Sequence, residues 1–222
     1  MPETAAQSES PIVVKVGGSL FQLPDLADRI LNVLAGAEIR NALIVTGGGE
    51  AADLVRDWEK RFDLTDETCH NLAVQAMSLN ARLLASLHDS FALISHVSEI
   101  PSGQSNANTG LQVLDAAAIV QQLEKSAAVL PRSWDVTSDS ISAWIAECLG
   151  IRSLLLLKSV SRPDRSADEV VSAGSDAERR NKRLQAAVQT GLVDQAFPQA
   201  AEKIDRILWC NLRHEKPQLS DI

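Results

Sequence analysis

Cysteine is scarce in this 222-residue chain: Cys69, Cys148 and Cys210 are the only three, and they stand far apart. An odd number without paired spacing argues against a disulfide framework. With no Cys-x-x-Cys pair and no histidine cluster, a zinc site has no ligand pattern either. The three thiols are expected as small buried residues. Long apolar runs are missing too, and none approaches the length of a membrane span. There is no basic block. The 21 Lys and Arg against 29 Asp and Glu give a net charge of -8. That balance argues against nucleic acid or an anionic membrane as the main partner, while a local basic pocket for a phosphorylated small molecule stays possible. Residues 1–10 are polar and acidic, without the basic start and apolar stretch of a secretory signal. They are expected to be a disordered tail on a cytoplasmic protein. No repeat, low-complexity block or linker breaks the remainder. Residues 11–222 are expected to form a single domain, and 45% hydrophobic residues suffice for its core.

Five of the eleven glycines fall in two clusters, each directly after a β-like apolar run. The first run is Ile12-Val13-Val14-Lys15-Val16-Gly17-Gly18-Ser19. The second is Ala42-Leu43-Ile44-Val45-Thr46-Gly47-Gly48-Gly49. A glycine at a strand end lets backbone approach a ligand, and free N–H groups there suit phosphate oxygens. Alternation along a strand puts Lys15 and Gly17 on one face. A cation beside a phosphate cradle is what phosphoryl transfer needs.

Around these runs, strand and helix patterns alternate. Strands are expected over residues 12–16, 42–46, 91–95, 126–130, 153–157 and 204–210. Helices are expected from Pro24, over 50–61, from Thr65 or Asp66, over 115–125 and from about Ser138 to Leu149. The long third helix carries Leu72, Ala76, Leu79, Leu83 and Leu87 as its apolar stripe. Residues 98–110 read as a loop, and 161–183 as a mobile segment leading into a helix. The alternation implies an α/β fold: a three-layer αβα sandwich on a mostly parallel sheet. Ligands bind such sheets at the carboxyl ends of the strands, where both glycine clusters and Lys158 stand.

Each motif has a plain reading as well. The first cluster is not a Walker A loop, whose lysine follows its glycines. Gly47, Gly49 and Ala52 match G-x-G-x-x-A with Glu67 at ribose distance, a common spacing that leaves a dinucleotide oxidoreductase open. In Ser133-Trp134-Asp135-Val136-Thr137-Ser138-Asp139-Ser140, Thr137 or Ser138 is a natural helix cap. Capping does not account for so dense a polar run.

The order Lys15-Val16-Gly17-Gly18-Ser19, Thr46-Gly47-Gly48-Gly49, Thr137-Ser138-Asp139 and Leu156-Leu157-Lys158-Ser159-Val160 resembles the amino acid kinase superfamily. That group includes acetylglutamate, aspartate, uridylate and isopentenyl phosphate kinases. The resemblance runs from about Pro11 to Cys210. Gly47 to Arg56, His70 and Ser133 to Ile141 look like one branch, the small kinases of methanofuran-type cofactor synthesis. There the reaction implied is phosphorylation of an aminomethylfuran methyl phosphate to its diphosphate.

The resemblance implies ATP and magnesium, a small-molecule acceptor and a homo-oligomer. It implies that Lys15 and Asp139 are catalytic and lie at a solvent-reachable cleft. Gly17, Gly18, Ser19, Lys158 and Ser159 would bind the nucleotide. Gly47, Gly48, Gly49, Asp53, Arg56, His70, Asp135 and Ser138 would bind the acceptor. Arg56 has the planar fork that suits an acceptor phosphate. Two departures stand out. Gln195 occupies a place where relatives carry a late lysine, and Lys158 stands where many have a small or acidic residue. Either Lys158 replaces the missing charge, or the chain is a non-catalytic ligand-binding member.

Overall fold

Short runs of Val, Ile and Leu build the centre of the molecule, because residues buried on both faces need no polar alternation. The computed structural model describes residues 11–100, 110–162 and 176–222. Strands β1 (Ile12–Val16) and β2 (Ala42–Thr46) are buried throughout. With β3 (Phe91–Ile94), β4 (Leu111–Leu114), β5 (Ser153–Lys158), β6 (Arg206–Asn211) and β7 (Ser220–Asp221) they form one sheet. Its order is β3-β4-β2-β1-β5-β6-β7, parallel except for the antiparallel β6–β7 pair. Leu154 to Leu157 are 0% exposed, each contributing about 1.5–3 kcal/mol by burial.

The helices are α1 (Leu26–Gly36), α2 (Gly49–Phe62), α3 (Asp66–Leu87), α4 (Ala116–Leu123), α5 (Ser138–Cys148), α6 (Asp176–Gln189) and α7 (Phe197–Ala200). Val14, Val16, Leu155 and Leu157 pack with α1 on one face of the sheet. Val13, Leu154 and Leu156 pack with α4, α5, α6 and α7 on the other. This alternation places the site. Lys15 pairs with Leu156 in the β1–β5 register and shares the α5 face with Val13. Lys158, two residues beyond Leu156, points the same way.

The structure corrects several expected elements. No strand forms over residues 126–130, where the chain turns after α4 and Val129 is 51% exposed. The strand is β4 instead, a four-residue run whose Gln112 hides its apolar character. The stripe expected on α3 is also displaced. Ala76 is buried as expected and Leu72 is half-buried, but Leu79, Leu83 and Leu87 are exposed, and Cys69, Val74, Met77, Ala81 and Leu84 fill the buried face. Polar residues belong to the buried side: Asn80 donates to the Gly47 and Gly48 carbonyls, and Ser78 Oγ accepts from Ala117 N–H. The last strand begins at Arg206, and β7 and α7 had no expected counterpart. The tail expected over residues 1–10, most of the 98–110 loop and residues 163–175 of the mobile segment lie outside the described residues. Among the described residues no helix is long and apolar enough to cross a membrane.

Candidate active site

Three charged side chains from three elements meet on the α5 face, next to the β1–β5 border. Lys15 comes from β1, Lys158 ends β5 and Asp139 sits in the first turn of α5. Lys158 Nζ donates to Asp139 Oδ2 at 2.7 Å and to the Leu192 carbonyl at 2.7 Å. Lys15 Nζ lies 2.7 Å from Asp139 Oδ1, a second ion pair to the same carboxylate. Lys15 and Asp139 are 4% and 5% exposed, which makes the cluster more enclosed than the solvent-reachable cleft expected for it.

Burial acts to raise the Asp139 carboxyl, and the charges of Lys15 and Lys158 outweigh it, so the group is held below its ordinary value. Burial, then the Lys15 charge, pushes Lys158 down to about 8. With both ammoniums protonated the cluster carries one surplus positive charge. It lies where the sheet changes direction, since the chain leaves β1 for β2 on one side and returns to β5 on the other. That switch point is where open α/β sheets receive ligands.

The two glycine clusters press against each other. A Cβ on Gly18 would lie 2.2 Å from Gly49 N, and Gly49 has φ +53°, so neither position accepts a side chain without moving backbone. Part of the glycine signal therefore serves chain packing. Gly17 N–H donates to the Leu157 carbonyl, and Gly47 N–H to Val16. The phosphate-binding N–H role expected of Gly17 is closed by that bond, which leaves Gly18 and Ser19 in the 3-10 turn that follows.

Beside the clusters opens a cavity of about 310 Å³. Gly18, Ser19, Gly47, Gly48, Gly49, Asp53, Arg56, His70 and Ser138 line it, so most of the expected acceptor residues do converge. Ser19 Oγ also donates to Ser159 Oγ at 2.9 Å, which joins two of the expected nucleotide residues across the sheet. Asp135 does not join them. Its neighbours Trp134 and Val136 face the cavity instead. Lys15, Asp139 and Lys158 lie outside the lining, with Ser138 next in sequence to Asp139.

Sequence reasoning overlooked several side chains here. Arg56 lies over the Trp134 ring at 4.3 Å and donates to Asp53 at 2.6 Å, while Trp134 Nε1 donates to Glu59 at 2.8 Å. The guanidinium is thus oriented from two sides on the cavity wall. Gln22 donates to Glu50 at 3.0 Å, and both line the cavity. The i, i+3 and i+6 spacing of Asp53, Arg56 and Glu59 was a readable signal; the Trp134 contact was not. Burial, then the Arg132 charge, lowers His70 below its ordinary value, which favours a neutral ring on the cavity wall. Glu67 pairs with Arg132 at 2.5 Å in the first turn of α3, a structural use in place of the ribose contact of a dinucleotide site.

Fold and site together define an αβα domain with a cationic cluster and glycine turns at the carboxyl ends of its central strands. The chain belongs to the amino acid kinase family, whose model matches residues 10–162. A curated relative is the [5-(aminomethyl)furan-3-yl]methyl phosphate kinase of Methanocaldococcus jannaschii. It is 25% identical over 148 residues, 67% of this chain and 65% of the relative, so the match spans a little under two thirds of that protein. Among solved structures, the uridylate kinase from Archaeoglobus fulgidus superposes with a TM-score of 0.58 at 16% identity, covering 89% of each chain. The UMP kinase from Bacillus anthracis gives 0.58 at 15% identity, covering 93% of this chain and 88% of that one. These two likenesses establish the fold.

Proposed function

We propose that this chain transfers the γ-phosphoryl group of ATP, bound with magnesium, to a small phosphorylated metabolite. The observation that carries the reading is the Lys15–Asp139–Lys158 cluster, a surplus positive charge at the strand ends beside glycine turns. Phosphoryl transfer asks a protein mainly for positioning and for cations aimed at the equatorial oxygens. Lys15 and Lys158 supply the cations, and Asp139 keeps them in place. Both Asp139 oxygens are engaged by lysines, so magnesium enters with the nucleotide as part of the substrate and needs few protein ligands. Gly18, Ser19 and Ser159 lie toward the nucleotide. Lys158 takes the place of the late lysine that Gln195 does not provide.

The acceptor fits the cavity lined by Arg56, His70 and Ser138. Arg56 offers a bidentate fork to an acceptor phosphate, and Trp134 presents an aromatic surface. The aminomethylfuran phosphate of the curated relative is the acceptor this reading favours. Self-association belongs to the reading too: exposed Leu79, Leu83 and Leu87 recur every fourth residue or so along α3, which sedimentation at micromolar concentration tests.

ATP with magnesium is expected to raise the melting temperature by mass action, NAD is not, and ADP is expected to accumulate when the acceptor is added. Stabilisation by NAD alone would overturn the reading. Arg56→Ala is expected to raise the acceptor KM at least about tenfold, as for loss of a charged hydrogen bond, with the ATP KM unchanged. Steady-state kinetics with each substrate varied in turn checks this. An unchanged acceptor KM removes Arg56 from acceptor binding.

A further inference from the structure

The loop between α6 and α7 carries Gln195 where the family resemblance implies a lysine. It holds an anion at work instead. Asp194 Oδ2 accepts from Thr137 N–H at 2.8 Å, Thr137 Oγ1 at 2.7 Å and Ser140 N–H at 3.1 Å. Its other oxygen accepts from Ser140 Oγ. One carboxylate thus takes four hydrogen bonds from the residues that flank Ser138 and Asp139. It caps α5 from a segment more than fifty residues away, where a carboxylate also meets the positive end of the helix dipole. Two residues earlier, the Leu192 carbonyl accepts from Lys158 Nζ at 2.7 Å. The loop itself is anchored by buried Val193 and Phe197 and by the Ala196 N–H to Asp135 carbonyl bond at 3.1 Å.

We infer that Asp194 is a positioning residue for the phosphoryl-transfer cluster: its carboxylate fixes the first turn of α5, which carries Asp139, while its own loop holds the Lys158 ammonium through Leu192. Asp194 touches no reacting atom in this arrangement. It acts through Asp139 and Lys158, whose spacing sets where the positive charge points. A displacement of about 1 Å in such a cluster is enough to cost on the order of 10²-fold in rate. A helix cap alone would need only the N–H groups. The hydroxyls of Thr137 and Ser140 make the clamp rigid, and the same loop reaching Lys158 ties the anion and one cation to a single anchor.

The turnover arm of the test rests on the kinase reading; the second arm does not. Asp194→Asn keeps the shape but turns an amide N–H₂ toward donors. It is expected to lower kcat by about 10- to 100-fold with the ATP KM within about threefold, because geometry and not affinity is lost. Asp194→Glu is expected to recover part of the rate. The independent readout is acylation of the neutral Lys158 amine by acetic anhydride, which releases acetate, followed by peptide mass spectrometry. Loosening the loop is expected to speed this modification about threefold or more over wild type, relative to exposed Lys203 as an internal standard. If Asp194→Asn does not fold, Thr137→Val removes one hydroxyl donor and is expected to move both readouts the same way by less. Wild-type kcat and wild-type Lys158 reactivity in the variant overturn the inference. So does a lowered melting temperature with both of those unchanged, which makes Asp194 a cap and nothing more. Absence of phosphoryl transfer by the wild-type protein overturns the kinase reading alone, and the acylation arm still decides Asp194.

Discussion

Asp139→Asn is expected to cost the folded state about 3–5 kcal/mol at neutral pH, the usual penalty for breaking a buried ion pair by removing one partner. The carboxylate is the anion between two enclosed ammoniums, and its neutral replacement leaves Lys15 and Lys158 facing each other with little water. For a chain of this size the loss corresponds to a fall in melting temperature on the order of 10 °C. The deficit has a pH signature. Lys158 already sits at about 8 in the folded protein against an ordinary 10.5, so its ammonium is disfavoured there even with Asp139 present. Without Asp139 it titrates lower still. A lysine depressed on folding carries its full penalty below the folded value, and the penalty fades as pH rises toward 10.5. The gap between variant and wild type is therefore expected to be smaller at pH 9 than at pH 7, narrowing as pH approaches about 8 and staying level above it, where the wild-type Lys158 sheds its own penalty in step. Turnover is expected to fall by on the order of 10² or more, because the cations lose the group that spaces them. Denaturant unfolding at the two pH values checks the first half. A gap that stays constant or widens overturns the electrostatic account.

Much of the candidate site's layout is legible in the sequence, for identifiable reasons. Strand alternation alone put Lys15 on the face of Gly17, and the buried run 153–157 placed Lys158 at a strand end. Thr137-Ser138-Asp139 announced a helix start. What the sequence could not show was depth. Lys15 reads as a cleft residue, yet parallel pairing with β5 and the packing of α5 enclose it. The glycines read as ligand cradles, yet Gly18 and Gly49 touch each other, a contact between segments about thirty residues apart with no local signature. The α3 stripe holds at Ala76 and fails at Leu79, Leu83 and Leu87, because helical spacing reports an apolar face without saying what covers it. Ala81 and Leu84 turn inward with Ser78 and Asn80, while Leu79, Leu83 and Leu87 do not. β4 was missed because four residues containing a glutamine fall below any periodicity test. Asp194 carries no local signature, because its partners Thr137 and Ser140 lie more than fifty residues away in sequence.

Lys158→Met is the change that separates catalysis from stability most cleanly. Met keeps much of the apolar stem and removes the ammonium. A lysine that ends a buried strand can snorkel to solvent, reach the cleft or take an anionic partner, and the structure gives it the partner Asp139. Its side chain is 12% exposed, bonded to Asp139 and to the Leu192 carbonyl, with the Trp209 ring 5.5 Å away. The drop from 10.5 to about 8 means that the folded protein disfavours the charged form, by on the order of 3 kcal/mol near neutrality. Removing the charge releases that cost. Against it stands the unpaired Leu192 carbonyl, about 1–3 kcal/mol. Asp139 keeps Lys15 and stays ionised. The balance is a variant as stable as wild type or more stable by about 2 kcal/mol at most, in contrast to Asp139→Asn. Under the proposed phosphoryl transfer, turnover is expected to move the other way, with kcat falling on the order of 10²-fold as one of the two cations assigned to it is lost. The pH profile ties the two effects to one proton. In the free wild-type enzyme, kcat/KM for ATP is expected to fall as pH rises through about 8, because deprotonation removes the Lys158 charge. The variant is expected to lack that limb while remaining low throughout. Melting curves and pH-dependent kinetics on the same two proteins decide it: a variant that keeps the alkaline limb, or that melts well below wild type, overturns the role assigned to Lys158.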